Sequence, residues 1–186
     1  MIGNLPRIRS SISADRQYSQ PRRDRSGGTP PNPTLLVANA YCPHMISYEV
    51  SETIQAGPAE VFRYLSDVGL YAKWMNVESA EVVTPEIQGR GQRWRAKTRE
   101  GMFLGENWEY EENRIVGYRT IEGPFDWTGG FRLDPTGSGA TRITSYGQIK
   151  LRGLQNLLAP LMAGKVRRGE AAELKTLKGL IEGSRA

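Results

Sequence analysis

Glu106 is the residue of this chain best placed for chemistry. It stands in the run Met102-Phe103-Leu104-Gly105-Glu106-Asn107-Trp108-Glu109-Tyr110, which alternates with the period of two expected of a half-buried strand. The preceding run, Arg93-Trp94-Arg95-Ala96-Lys97-Thr98-Arg99, alternates in the same way. Pairing Thr98 with Met102 across a three-residue loop puts Trp94, Ala96, Thr98, Met102, Leu104, Glu106 and Trp108 on one face. A carboxyl group in such company is desolvated, and its pKa rises unless a cation pairs with it. It then becomes a general acid/base or a polar anchor for a ligand hydroxyl. A register slipped by one residue, or a place on the rim, makes Glu106 an ordinary wet glutamate. Both readings stand at this level. Asp126 and the phenols of Tyr110, Tyr118 and Tyr146 complete the acid–base inventory.

Other chemistries are poorly supplied. The single histidine, His44, and the single cysteine, Cys42, both lie near the N-terminus. The rest of the chain has no imidazole base, no thiol nucleophile and no Cys/His set for zinc, so neither a metal nor a cofactor is expected. Gly89-Arg90-Gly91 and Gly129-Gly130 match no phosphate-binding loop; the second pair reads as a bulge or a bend in a curved strand. One cysteine allows no internal disulfide, which suits a reducing compartment.

The charge is unevenly placed. Residues 1–45 hold six arginines against Asp15 and Asp24, and the remainder holds 19 basic and 18 acidic groups, so +4 of the net +5 belongs to the N-terminal stretch. That stretch is rich in Ser, Pro, Gly and Arg and too poor in apolar residues to offset its chain entropy. It reads as a disordered basic extension before a domain over 46–186. Three readings compete for it: an inert extension upstream of a start at Met45, an organelle transit peptide, or a basic arm for anionic surfaces. The nearly neutral remainder carries no footprint for nucleic acid. No stretch approaches the ~18 apolar residues of a membrane span. A cytoplasmic protein, monomeric or weakly dimeric, is expected.

The elements that position these residues are legible in order. Tyr48, Val50 and Ile54 alternate with polar neighbours as a first strand. Gly57-Pro58 opens a helix carrying Val61, Phe62 and Leu65, with proline where its missing N–H is harmless and Glu60 near the positive dipole end. Tyr71 and Trp74 fall on a second short helix. Six strands follow, over about 78–86, 91–99, 102–112, 115–122, 125–134 and 140–151, separated by good turn residues. A long helical pattern closes the chain, with Leu154, Leu158, Leu161, Met162, Val166, Leu174, Leu177 and Ile181 at helical spacing. Pro160 should kink or break it, and Gly164 and Gly169 weaken its middle. Strands between small and large helices define an α+β domain whose curved antiparallel sheet wraps the last helix. A hollow between the two suits a ligand. Trp94, Met102, Leu104, Glu106, Trp108, Trp127 and Phe131 from the strands, with Leu158 and Met162 from the helix, are its expected lining. Each apolar member has plain core packing as its alternative. Arg93, Arg95, Lys97 and Arg99 fall on the other face, opposite Glu109 and Glu111, as a solvated, self-paired surface.

Several of these segments resemble the START-like, birch-pollen-allergen-like superfamily, also called SRPBCC. They are Ala56–Asp67 followed by Trp74, the strand Gly139–Gly147, the stretch Leu154 to Leu161 with Pro160, and the closing Leu174–Glu182. The most similar branch is the polyketide cyclase/dehydrase and lipid-transport group, over about residues 46–183. The resemblance implies a helix-grip fold: a seven-stranded curved antiparallel sheet around a long C-terminal helix, two short helices after the first strand, and a deep apolar cavity. It implies less about chemistry, because the superfamily hosts carriers, cyclases, hydroxylase domains and co-chaperones on one scaffold. The expected function is binding or transport of a small hydrophobic molecule (a lipid, isoprenoid or polyketide) without catalysis. The alternatives are a cyclase, aromatase or dehydratase using Glu106 with a tyrosine, and a protein-interaction module using the outer face of the sheet.

Overall fold

A computed structural model describes residues 45–151 and 159–184; Cys42, His44, Leu154 and Leu158 lie outside them. Strand β1 (Met45–Ile54) buries Ile46, Tyr48 and Ile54 and exposes alternate polar residues. Gly57 then caps α1 (Pro58–Ser66), with Pro58 in the first turn and Val61, Phe62 and Leu65 buried. Asp67 ends α1 and starts the next turn by accepting a hydrogen bond from the Gly69 N–H at 2.9 Å. A 3-10 turn (Val68–Leu70) leads into α2 (Tyr71–Trp74), which buries both of its aromatics. The remaining strands are β2 (Ser79–Val82), β3 (Arg93–Thr98), β4 (Gly101–Glu111), β5 (Ile115–Glu122), β6 (Asp126–Pro135) and β7 (Thr141–Lys150), and α3 (Ala159–Gly183) follows.

The strands form one antiparallel sheet of seven, in the order β1-β7-β6-β5-β4-β3-β2. β1 and β2 are therefore opposite edges, and α1 and α2 carry the chain between them over the concave face. α3 packs on the same face against β1, β7 and both short helices. This is the expected helix-grip architecture. Pro160 lies at the start of the described part of α3. Leu161 is 80% exposed, because it sits one residue off the inward row of Met162 and Val166.

The β3–β4 register corrects an expectation. Thr98 pairs with Gly101, Trp94 with Gly105 and Arg93 with Glu106, so the turn is Arg99-Glu100 alone. The slip by one residue exchanges the faces of β4. Trp94 and Ala96 share the concave side with Phe103 and Asn107, all buried, while Met102, Leu104 and Glu106 fall on the convex side with Arg93, Arg95 and Lys97. The β4–β5 ladder is irregular twice, with Ile121 and Trp108 as extra residues. The bulge at Trp108 flips the sidedness of β4, so Tyr110 turns inward to meet Phe62 of α1 edge to face at 5.3 Å. Trp108 and Glu109 lie together over Gly117 on the convex side.

Gly129-Gly130 is not a bulge, since both flanking ladders run unbroken through it. A Cβ at Gly130 would fall 2.3 Å from the Val116 carbonyl oxygen, which is backbone. Gly130→Ala is expected to lower stability by about 1–3 kcal/mol, read as a lower urea midpoint; an unchanged midpoint would show that the strands can part at no cost.

The core has two parts. The larger one joins α1, α2 and the C-terminal half of α3 (Leu174, Leu177, Ile181) to Trp94, Val116, Tyr118, Phe131 and Leu133. The smaller one holds Ile46, Tyr48, Ile149 and Leu151, flanked by Phe125, Trp127, Met162 and Val166.

Candidate functional site

The inward row of α3 runs Met162, Val166, Glu170, Glu173, Leu174, Leu177, Ile181, at spacings of three, four and one that keep one helical face. Two carboxylates thus interrupt an apolar stripe where the two cores meet. The sheet answers them with polar groups. Ser145 of β7 donates to Glu170 Oε2 at 2.6 Å. Trp127 of β6 donates from Nε1 to the Tyr48 hydroxyl at 2.9 Å, and the Tyr48 hydroxyl is near enough to Glu170 to favour its ionised form. The Asn76 N–H, just after α2, donates to Glu173 Oε1 at 2.9 Å. Gly147 of β7 leaves room for this set, since a Cβ there would fall 2.7 Å from the Tyr48 hydroxyl.

Beside these groups lies a cavity of about 620 Å³, walled by Ile46, Phe125, Ile149, Leu151, Met162 and Val166, with Glu170, Glu173, Asn76 and Lys165 as polar lining. A smaller chamber of about 140 Å³ shares Ile149, Glu170 and Glu173 and adds Met75, Trp127 and Phe131. An apolar concavity of this size with a few convergent polar groups is the usual form of a small-molecule site.

The electrostatics follow from the burial. Desolvation, and then the charge of Glu170, push the Glu173 carboxyl up to about 8 against the lowering effect of the Asn76 N–H. Burial also raises Glu170, partly offset by the hydrogen bonds from Ser145 and Tyr48. The Tyr48 phenol is raised by burial and by the Glu170 charge, so it stays protonated. At neutral pH the site therefore retains a proton on its carboxyl pair and can donate it as well as accept hydrogen bonds. Among the described residues no group of side chains is arranged to hold a metal ion.

The sequence-derived candidates divide. Trp127, Phe131 and Met162 line these cavities, and Leu158 lies outside the described residues. Trp94 is a core residue, its N–H bonded to the Asn107 Oδ1 at 3.1 Å. Met102, half-exposed, belongs with Leu104, Glu106 and Trp108 on the convex face. Desolvation is the largest single influence on the Glu106 carboxyl and raises it, but the hydrogen bonds and charges of Arg119 at 2.7 Å and Arg93 at 3.3 Å together outweigh it and hold the group below its ordinary value. The basic run pairs across strands with Glu106, Glu81 and Glu78, and not with Glu109 and Glu111, which bond Tyr146 and Arg114. Tyr118, the other proposed phenol, donates to the Leu65 carbonyl and accepts from Tyr71 inside the core. Glu106→Gln is accordingly expected to leave ligand binding unchanged within about twofold while lowering stability by about 1 kcal/mol, the scale of surface ion pairs; a loss of binding in a titration would return Glu106 to the site.

A curved seven-stranded sheet gripping a long helix beside an apolar cavity is a helix-grip fold. A family model described as polyketide cyclase / dehydrase and lipid transport matches residues 45–182, and the chain belongs to that family. No match was found among the curated proteins. Solved structures share the fold. The Zhui aromatase/cyclase from a Streptomyces species is 21% identical with a TM-score of 0.60, over 75% of this chain and 94% of that one. A START superfamily protein from Mycobacterium smegmatis is 17% identical with a TM-score of 0.63, over 75% and 98%. A protein from Thermus thermophilus is 23% identical with a TM-score of 0.61, over 75% and 99%.

Proposed function

We propose that this protein binds or carries a small hydrophobic molecule in the cavity between α3 and the β1–β7–β6 end of the sheet. The observation that carries the reading is the largely apolar chamber of about 620 Å³ with Asn76, Glu170 and Glu173 in its wall. Burial of a lipid-like chain there supplies roughly 25 cal/mol per Å² of apolar area, and the polar groups set its orientation. Among the described residues no helix is long and apolar enough to cross a membrane. The test is native mass spectrometry of protein purified from its own host, with titration of an environment-sensitive lipid probe. A co-purifying apolar molecule and saturable probe binding, lost when Val166→Trp fills the chamber, support the reading. Probe binding that survives the Val166→Trp change removes it.

A second reading, a cyclase or dehydratase, draws on one observation: Glu173, pushed up to about 8 by burial and by the charge of Glu170, stands beside Glu170 on the cavity wall. General acid–base catalysis needs a group whose pKa lies near the working pH. Turnover of a poly-β-ketone chain that ceases in Glu173→Gln while binding persists would favour it over carriage alone.

A further inference from the structure

The ionisable groups in the cavity wall are unbalanced in sign. Glu170 and Glu173 sit three residues apart on one face of α3, and side chains at that spacing are neighbours. Both line the main cavity and the smaller chamber. What faces them is neutral: the Ser145 hydroxyl, the Tyr48 phenol, the Trp127 N–H behind it, and the Asn76 backbone N–H. Lys165 is on the wall of the main cavity and Lys73 on that of a neighbouring hollow that Glu173 also borders. Neither forms an ion pair with Glu170 or Glu173 among the described residues, where the ion pairs join Arg93, Arg95, Lys97, Arg114, Arg119 and Lys178 to other carboxylates. Glu100 is the remaining ionisable group on the cavity lining, and it too is acidic.

We propose that the ligand is a hydrophobic amine, its ammonium seated between Glu170 and Glu173 and its chain lying along Ile149, Val166 and Met162. The assignment rests on the cavity being the binding site and names the class of molecule that fits it. Two adjacent carboxylates in an apolar chamber repel each other and are poorly solvated, so alone they keep a proton. A cation from the ligand is the one partner that satisfies both and takes the place of that proton. A neutral alcohol leaves the pair as it was, and a fatty acid adds a third acidic group. An ammonium also supplies three donors, matching the acceptor-rich carboxylate pair. The net +5 of the chain works against cations at long range, so a preference for amines has to originate in the chamber itself.

The experiment compares three probes of one chain length, dodecylamine, dodecanol and dodecanoate, below their micelle concentrations. Each is titrated calorimetrically into the full chain at pH 7. The expected result is amine binding at least tenfold tighter than alcohol, with dodecanoate weaker than both. Titration in phosphate and in Tris should show about one proton released per amine and none per alcohol. In Glu170→Gln/Glu173→Gln the amine-to-alcohol ratio should fall to within about twofold; Glu173→Gln alone serves if the double variant does not fold. Alcohol binding as tightly as amine in the wild type, with saturable binding intact, overturns this inference and leaves the cavity reading standing. Tighter binding of dodecanoate overturns it and assigns the anchor to Lys165. Failure of all three probes to bind overturns both.

Discussion

Trp94→Ala should lower the stability of the domain by about 3–5 kcal/mol, the range for removing a buried tryptophan. Trp94 is 5% exposed and meets Tyr71 and Tyr118 edge to face at centroid distances of 5.8 and 5.7 Å. Tyr118 in turn meets Phe131 at 6.0 Å, and Phe131 meets Trp74 at 5.4 Å, so the indole is one member of a continuous aromatic packing. Alanine removes those contacts and leaves a cavity that rigid neighbours cannot close. It also strands the fully buried Asn107, whose Oδ1 accepts the indole N–H at 3.1 Å, and an unpaired buried acceptor adds its own penalty. The readout is the urea midpoint at constant slope. If Trp94 were a cavity-lining residue, the variant would lose ligand and keep most of its stability, and that result would send the indole back to the binding site.

Glu173→Gln should change how stability depends on pH. The Glu173 carboxyl has an ordinary value of 4.5 and is pushed up to about 8 in the folded protein. Below pH 4.5 the group is neutral in both folded and unfolded chains and is neutral in its effect. Between 4.5 and 8 the folded state holds a proton that the unfolded chain releases, so stability falls as pH rises. The loss is complete above 8. At about 1.4 kcal/mol per pH unit the ceiling is about 5 kcal/mol, and partial access of water to the carboxyl reduces it to about 2–3 kcal/mol. The wild type should therefore be less stable at pH 9 than at pH 5. The glutamine variant should be flatter across that window and the more stable of the two at pH 9. Glu170 is raised in the same direction and steepens both curves. Glu52 and Glu106, held low by their cationic partners, lose their contribution only on the acid side of this range. Denaturant titrations at pH 5, 7 and 9 measure the difference; parallel curves for wild type and variant would mean that Glu173 titrates as if in water.

Most of the fold was legible because it depends on local patterns. The alternation in β1 and the Gly57-Pro58 start of α1 identify their elements directly, as do the turn residues between strands. The register of β3 on β4 was not legible, because alternation is satisfied equally by two pairings one residue apart. What decides between them is a feature of the turn: Gly101 has a φ of 135°, a conformation open to glycine, and this lets Arg99-Glu100 close the hairpin alone. The bulge at Trp108 then hid the inward turn of Tyr110 from any argument that reads β4 as one unbroken alternation. The carboxylates of the site had left a trace. The apolar row of α3 has a gap between Val166 and Leu174, and Glu170 and Glu173 occupy it. Such a gap reads first as a solvent-facing stretch, and only the meeting of α3 with Tyr48 and Ser145, more than twenty residues away in the chain, shows it to be enclosed.

The division of the core gives the two ends of α3 unequal duties. Its C-terminal end is wedged among aromatics by Leu174, Leu177 and Ile181, whereas its N-terminal end rests through Met162 and Val166 on the smaller aliphatic cluster beside the cavity. Gly169 lies between the two ends and lowers the resistance to bending there. Local opening of the N-terminal half would draw on the weaker packing alone. Fraying at that end and global unfolding thus draw on separate sets of contacts.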